Sequence, residues 1–178
     1  MSSTPLTHWY TMVFNGIIAL LYGIMALFIP ETTLLTIATW FGIVILIVGV
    51  VGIVSALNNK KSGRPYTTDL VWSIVTTLIG AVLIFYTQRS VVIFFVIIGI
   101  WAFIIGVVQL WLMSKLSSDN QIRNALLVNG IVTLVFGILL LIFPFTSAKV
   151  LITISGIFAL ASGAILIYLA IRTKNLVE

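Results

Sequence analysis

The chain has 178 residues, of which 61% are hydrophobic and 7% charged, with a mean hydropathy of +1.28. Soluble domains carry about 25% charged residues, so a water-soluble fold is excluded and lipid is expected as solvent for most of the surface. The net charge of +5 comes with no basic face or aromatic stacking platform, which argues against nucleic acid as a partner.

Six apolar stretches follow in chain order: Trp9–Ile29, Thr33–Leu57, Leu70–Tyr86, Val91–Met113, Ala125–Phe143 and Val150–Ile171. Each is long enough to cross a hydrocarbon core of about 30 Å as a helix. They lack the alternation of barrel strands. Met1 to His8 carries no Lys or Arg ahead of the first stretch. That segment therefore lacks the basic region of a cleavable signal, and the first stretch is read as a retained helix.

The six stretches are three copies of one unit with a period of 57 residues. Gly23, Gly42 and Gly49 recur as Gly80, Gly99 and Gly106, and again as Gly137, Gly156 and Gly163. Asn15-Gly16 and Pro30 recur as Asn129-Gly130 and Pro144. The copies cover about 9–57, 66–114 and 123–171 of a single membrane domain, 1–178. Tight turns are expected at Pro30-Glu31-Thr32, Thr87-Gln88-Arg89 and Pro144-Phe145-Thr146, because proline ends a helix. Longer polar links run from Asn58 to Thr68 and from Ser114 to Ile122.

Lys60, Lys61, Arg64, Lys115, Arg123, Arg172 and Lys174 fall on the side holding both termini, against Arg89 and Lys149 on the other. The positive-inside rule then places both termini in the cytoplasm. The fold class expected is all-α and integral to the membrane. Its six transmembrane helices form three tandem hairpin repeats with approximate threefold pseudosymmetry.

Gly16, Gly23, Gly42, Gly49, Gly80, Gly99, Gly106, Gly130, Gly137, Gly156 and Gly163 fall on a heptad beat, with Ala19, Ala26, Gly52, Ala102 and Ala159 interleaved. Small residues let helix backbones approach closely in lipid, so these glycines are expected to pack helices. A pore or groove lined by exposed backbone is the alternative. The stretch interiors carry no charge, which argues against a proton-coupled pump. Asp69 stands at the start of the third helix, where N-capping or the helix dipole suits it. The neutral polar residues Asn15, Gln109 and Asn129 are candidates for interhelical hydrogen bonds or a polar pathway. His8, beside Trp9-Tyr10, reads as an interfacial anchor. Glu31, Arg89 and Lys149 come from three different hairpins and are candidates for ion pairing.

With no cysteine and no nucleophile–base set, phosphate loop, metal cluster or dinucleotide fingerprint, no catalytic, metal or cofactor site is expected. The chain is not expected to be an enzyme.

The run Asn15-Gly16-Ile17-Ile18-Ala19-Leu20-Leu21-Tyr22-Gly23, then Pro30 and Gly42 through Gly49, resembles the repeat of the HdeD-like acid-resistance membrane proteins. So does Asn129-Gly130 through Gly137, Pro144, Gly156 and Gly163, while the middle copy departs with Thr87 at the proline position. The resemblance spans Trp9 to Ile171. It implies a bacterial inner-membrane protein with a role in acid or envelope stress, and it carries over no catalytic or binding residue. A small channel or transporter for a neutral solute, or a membrane scaffold for another protein, is the alternative. The lipid bilayer is the expected partner, with a membrane-protein partner or a homo-oligomer also open.

Overall fold

A computed structural model describes residues 6–62, 64–116 and 121–175, with side chains for 9–62, 64–116 and 122–174. The side chain of His8 and the residue Gly63 lie outside these. Six α-helices follow one another: α1 (Leu6–Phe28), α2 (Pro30–Lys61), α3 (Thr67–Phe85), α4 (Thr87–Lys115), α5 (Gln121–Ile142) and α6 (Pro144–Asn175). All six are long and apolar enough to cross a membrane. The shortest, α3, has 19 residues, or roughly 28 Å of rise. The second helix of each copy is the longer one: α2 and α6 have 32 residues and α4 has 29.

The joints within the copies are tighter than the sequence suggests. One residue separates the helices in each copy, namely Ile29, Tyr86 and Phe143. Pro30 and Pro144 do not end the preceding helices; each is the first residue of the next one. That position suits proline, since the first helical N–H has no intrahelical partner to lose. The three joints share one hydrogen-bond pattern. The N–H of Ile29, Tyr86 and Phe143 donates to the carbonyl of Met25, Val82 and Leu139 at 2.9 Å. The N–H of Thr33, Ser90 and Ser147 donates to the carbonyl of Ile29, Tyr86 and Phe143.

In the middle copy Thr87 stands where the others have proline, and its hydroxyl donates back to the carbonyls of Leu83 (2.8 Å) and Ile84 (3.1 Å). Asp69 lies in the first turn of α3 rather than at its cap. The capping position is Tyr66, whose side chain makes no capping bond. The carboxylate therefore acts on the positive end of the helix through charge alone.

The chain divides into two compact units. One comprises Met1–Leu34 with Lys149–Glu178, and so holds α1 and most of α6; the other is Leu35–Ala148. Buried residues are mostly small. Ala26, Ala56, Ala148 and Ala170 are fully buried, and Leu140 is the largest fully buried side chain. Burial also follows the repeat: Leu34, Val91 and Ala148 occupy one repeat position and all three are buried. Large apolar side chains such as Phe14, Phe28, Trp40, Trp101 and Phe158 are exposed instead.

Candidate functional site: the helix seams

The glycines mark three antiparallel helix pairs, and the pairing rule is the same each time. In α2·α3, Gly49 faces Thr77; in α4·α5, Gly106 faces Leu134; in α6·α1, Gly163 faces Leu20. Each of these pairs is the previous one moved along by 57 residues, with α1 following α6 in the cycle. The seams thus join the second helix of one copy to the first helix of the next.

A β-carbon placed on any of the helical glycines would come within 3.0 Å of a neighbour. At Gly106 it would lie 2.7 Å from the backbone nitrogen of Leu134, and at Gly137 2.6 Å from that of Phe103. At Gly80 the backbone nitrogen of Leu46 would be 2.5 Å away. Backbone packed against backbone is what small residues make possible. In hydrocarbon that contact supplies the dispersion energy that burial from water would otherwise contribute.

The α2·α3 seam adds hydroxyls. The hydroxyls of Ser73 and Thr77 donate to the carbonyls of Asp69 (2.6 Å) and Ser73 (2.8 Å) on their own helix. Their oxygens sit against Gly52 and Gly49 of α2. With the hydroxyl hydrogens already committed, their lone pairs face the glycine α-carbons, the arrangement of a weak Cα–H···O contact. Thr39 on α2 also meets Thr87 of α4, hydroxyl to hydroxyl at 3.3 Å.

The α1·α6 seam is built differently in detail. Here glycine faces glycine. The added β-carbon of Gly16 would be 3.1 Å from the carbonyl oxygen of Gly163, and that of Gly163 2.9 Å from the oxygen of Gly16. Gly23 and Gly156 are reciprocal in the same way. Midway along, the Tyr22 hydroxyl lies 2.6 Å from Ser155 Oγ. Ser155 donates its own hydrogen to the Ile152 carbonyl at 2.7 Å, so Tyr22 is the donor between the helices. Just past one end of the seam, Lys149 Nζ of α6 lies 3.3 Å from Oε2 of Glu31 in the first turn of α2, both side chains partly exposed. Arg89, the third charge expected near that pair, lies 5.9 Å from the Tyr86 ring.

At the other end of this seam Lys174 stands over the Trp9 ring at 5.5 Å. The corresponding pair in α2·α3 is Lys60 over Tyr66 at 5.3 Å. In the α4·α5 pair Arg123 takes the place of the ring. Its Nε is buried without a hydrogen-bond partner.

The three polar candidates are placed unequally. Asn15 and Asn129 are exposed, each beside a glycine buried in a seam. Gln109 is half-buried on α4; its Cβ would lie 3.3 Å from an added Gly130 β-carbon, and its Oε1 is buried without a partner. No group of three His, Cys, Asp or Glu able to hold a metal ion occurs among the described residues.

Sequence reasoning missed Tyr22 and the joint hydroxyls. Thr33, Ser90 and Ser147 are one repeat position. They donate to the carbonyls of Ile29 (2.9 Å), Val82 (3.4 Å) and Leu139 (3.3 Å). The signal was present as a hydroxyl recurring four residues after each joint. Tyr22 has apolar repeat partners, so no period could reveal it.

Six helices long and apolar enough to cross a membrane, built as three repeats, suggest a multi-pass membrane protein. The chain belongs to the family described as a short repeat of unknown function, DUF308, whose repeat matches residues 14–85, 71–129 and 128–177. No curated protein and no solved structure matches it.

Proposed function

We propose that the protein is a non-enzymatic, HdeD-like component of the bacterial cytoplasmic membrane that contributes to acid or envelope stress tolerance. Both termini lie in the cytoplasm, and the six helices form a bundle with approximate threefold pseudosymmetry. The observation that carries the reading is a set of apolar, charge-free helix interiors whose backbones are packed closely along glycine seams. Such seams leave the protein little chemistry except its shape and its lipid-facing surface. It acts by altering the proton permeability of the membrane or by scaffolding another membrane protein. The common register of the three seams supports the pseudosymmetry, and seven basic residues against two support the orientation.

The test is survival of a deletion strain, with and without the restored gene, after a brief acid challenge. Loss of survival that the gene restores is the expected result. Unchanged survival removes the stress role.

A second reading, passage of a neutral solute, has one observation in its favour. Gln109 keeps a buried carbonyl oxygen without a partner within the stretch Val91–Met113 of α4, whose other residues are apolar or glycine. Solute flux into liposomes carrying the purified protein tests it, with Gln109→Leu as the control that should abolish any flux seen. No flux for the solutes tried, or flux that survives Gln109→Leu, counts against it.

A further inference from the structure

Two of the three seams join helices that are neighbours in the chain. The links are short: residues 62–66 connect α2 to α3, and residues 116–120 connect α4 to α5. The third seam has no such link, because α1 precedes and α6 follows the other four helices. A short link holds two helices at high effective concentration. For α1 and α6 that contribution is weaker, and it must be offset by contacts.

Two contacts lie where that need is, one across the seam and one from the first turn of α2, just past the end of α1, to α6. Tyr22–Ser155 corresponds to Ile79 and Phe41 in α2·α3, and to Phe136 and Ile98 in α4·α5. Glu31–Lys149 corresponds to Gln88 and Leu35, and to Phe145 and Val92. Neither the hydrogen bond nor the ion pair can form at the equivalent positions of the other copies, because the residues needed are not there. The Lys174–Trp9 pair is shared with Lys60–Tyr66, so it belongs to the common plan rather than to this seam.

We infer that Tyr22–Ser155, between α1 and α6, and Glu31–Lys149, between the first turn of α2 and α6, form a clasp that keeps α6 on α1 of the same chain. Without the clasp α1 and α6 pair with their counterparts on a second copy. The occupant follows from the seam itself. A released α1 presents Gly16 and Gly23 at a spacing and register that α6 of any copy matches, through Gly163 and Gly156. Exchange of an identical element between copies needs no new surface. The looped seams do not exchange in this way, because their links return each helix to its own partner.

The experiment co-expresses the full chain under two different affinity tags, captures one tag from detergent extract and measures how much of the other comes with it. Wild type should give low co-capture. Tyr22→Phe removes one hydroxyl with the ring retained, and an interhelical hydrogen bond in a membrane shifts an equilibrium by about three- to thirty-fold. Co-capture should rise by a factor in that range, by less for Glu31→Gln, and most for the two combined. Thr39→Val, which removes a hydroxyl contact of α2, should leave it at the wild-type level. Glu31→Gln alters only a partly exposed end and tests the idea even where the double variant folds poorly. Full co-capture by wild type, no rise in either single variant, or an equal rise with Thr39→Val overturns the clasp.

Discussion

The α4·α5 and α1·α6 seams use one glycine skeleton and differ in what lies between the glycines. In α4·α5 two central glycines meet backbone nitrogens and α-carbons of large residues, Gly106 on Leu134 and Gly137 on Phe103, while Gly99 and Gly130 meet side chains. In α1·α6 glycine meets glycine carbonyl and a hydrogen bond is added, with an ion pair from the first turn of α2 to α6 at one end. The first seam holds two helices joined by a short link, the second two helices that are remote in the chain. Packing alone suffices where the chain supplies proximity, and directional polar contacts appear where it does not.

The comparison breaks most visibly at Gly106. Leucine there would drive a branched side chain into the backbone of Leu134. Helix backbone cannot move aside as a side-chain end can. Overpacking of a close-packed site costs about 1–3 kcal/mol and occasionally more. Gly106→Leu should therefore abolish a monodisperse peak after detergent extraction, and Gly49→Leu should do the same in α2·α3. A wild-type elution profile for either would mean that the seams are not what holds the helices together. Alanine sharpens the point within one seam. At Gly130 the nearest atoms are the side-chain ends of Leu110, at 2.9 and 3.1 Å, which can rotate away. Gly130→Ala should lower the melting temperature by less than Gly106→Ala, and the reverse order would contradict the backbone-contact account.

How much of this was legible in the sequence depends on whether a feature repeats. The period of 57 residues carried the six helices, the glycine stripes and the three copies, because each appears more than once with the same spacing. It did not say which helices the glycines join. A stripe fixes one face of a helix and leaves its partner open, and the partner here is in the next copy. Proline misled at the joints. Its missing donor is disruptive inside a helix and harmless at a first position, and the sequence alone does not separate the two cases. Tyr22 was invisible for the opposite reason: it occurs once, and beside a glycine stripe a tyrosine reads as one more lipid-facing ring. Asn15 and Asn129 were legible as repeat partners, but their exposure depends on which side of the adjacent glycine meets the neighbouring helix.

Next in size is the Tyr22–Ser155 bond. Its loss in hydrocarbon should cost about 0.6–2 kcal/mol, which for a chain of this length lowers the melting temperature by roughly 1–8 °C. Tyr22→Phe and Ser155→Ala should give similar shifts, and the double variant should lose no more than the larger single loss, because one contact is removed in each case. Phenylalanine is already present at the corresponding position in α5, as Phe136, so the ring shape itself is tolerated by this scaffold. Additive losses would show that the two hydroxyls act on separate partners.

The smallest expected effect is at Glu31–Lys149. Both side chains are partly exposed, 53% and 33%, and pairs of this kind contribute about 0–1 kcal/mol. Glu31→Gln should move the melting temperature little, and that small shift should shrink further as salt rises, because mobile ions screen charges several ångströms apart. Glu31 also lies in the first turn of α2, where its negative charge favours the positive helix end independently of Lys149. The two contributions separate by comparison with Lys149→Gln, which removes the pair and leaves the helix-end charge in place. Equal shifts from both variants would assign the effect to the pair. A larger shift from Glu31→Gln would assign the excess to the helix end, and the clasp at α1·α6 would then rest mainly on Tyr22 and Ser155.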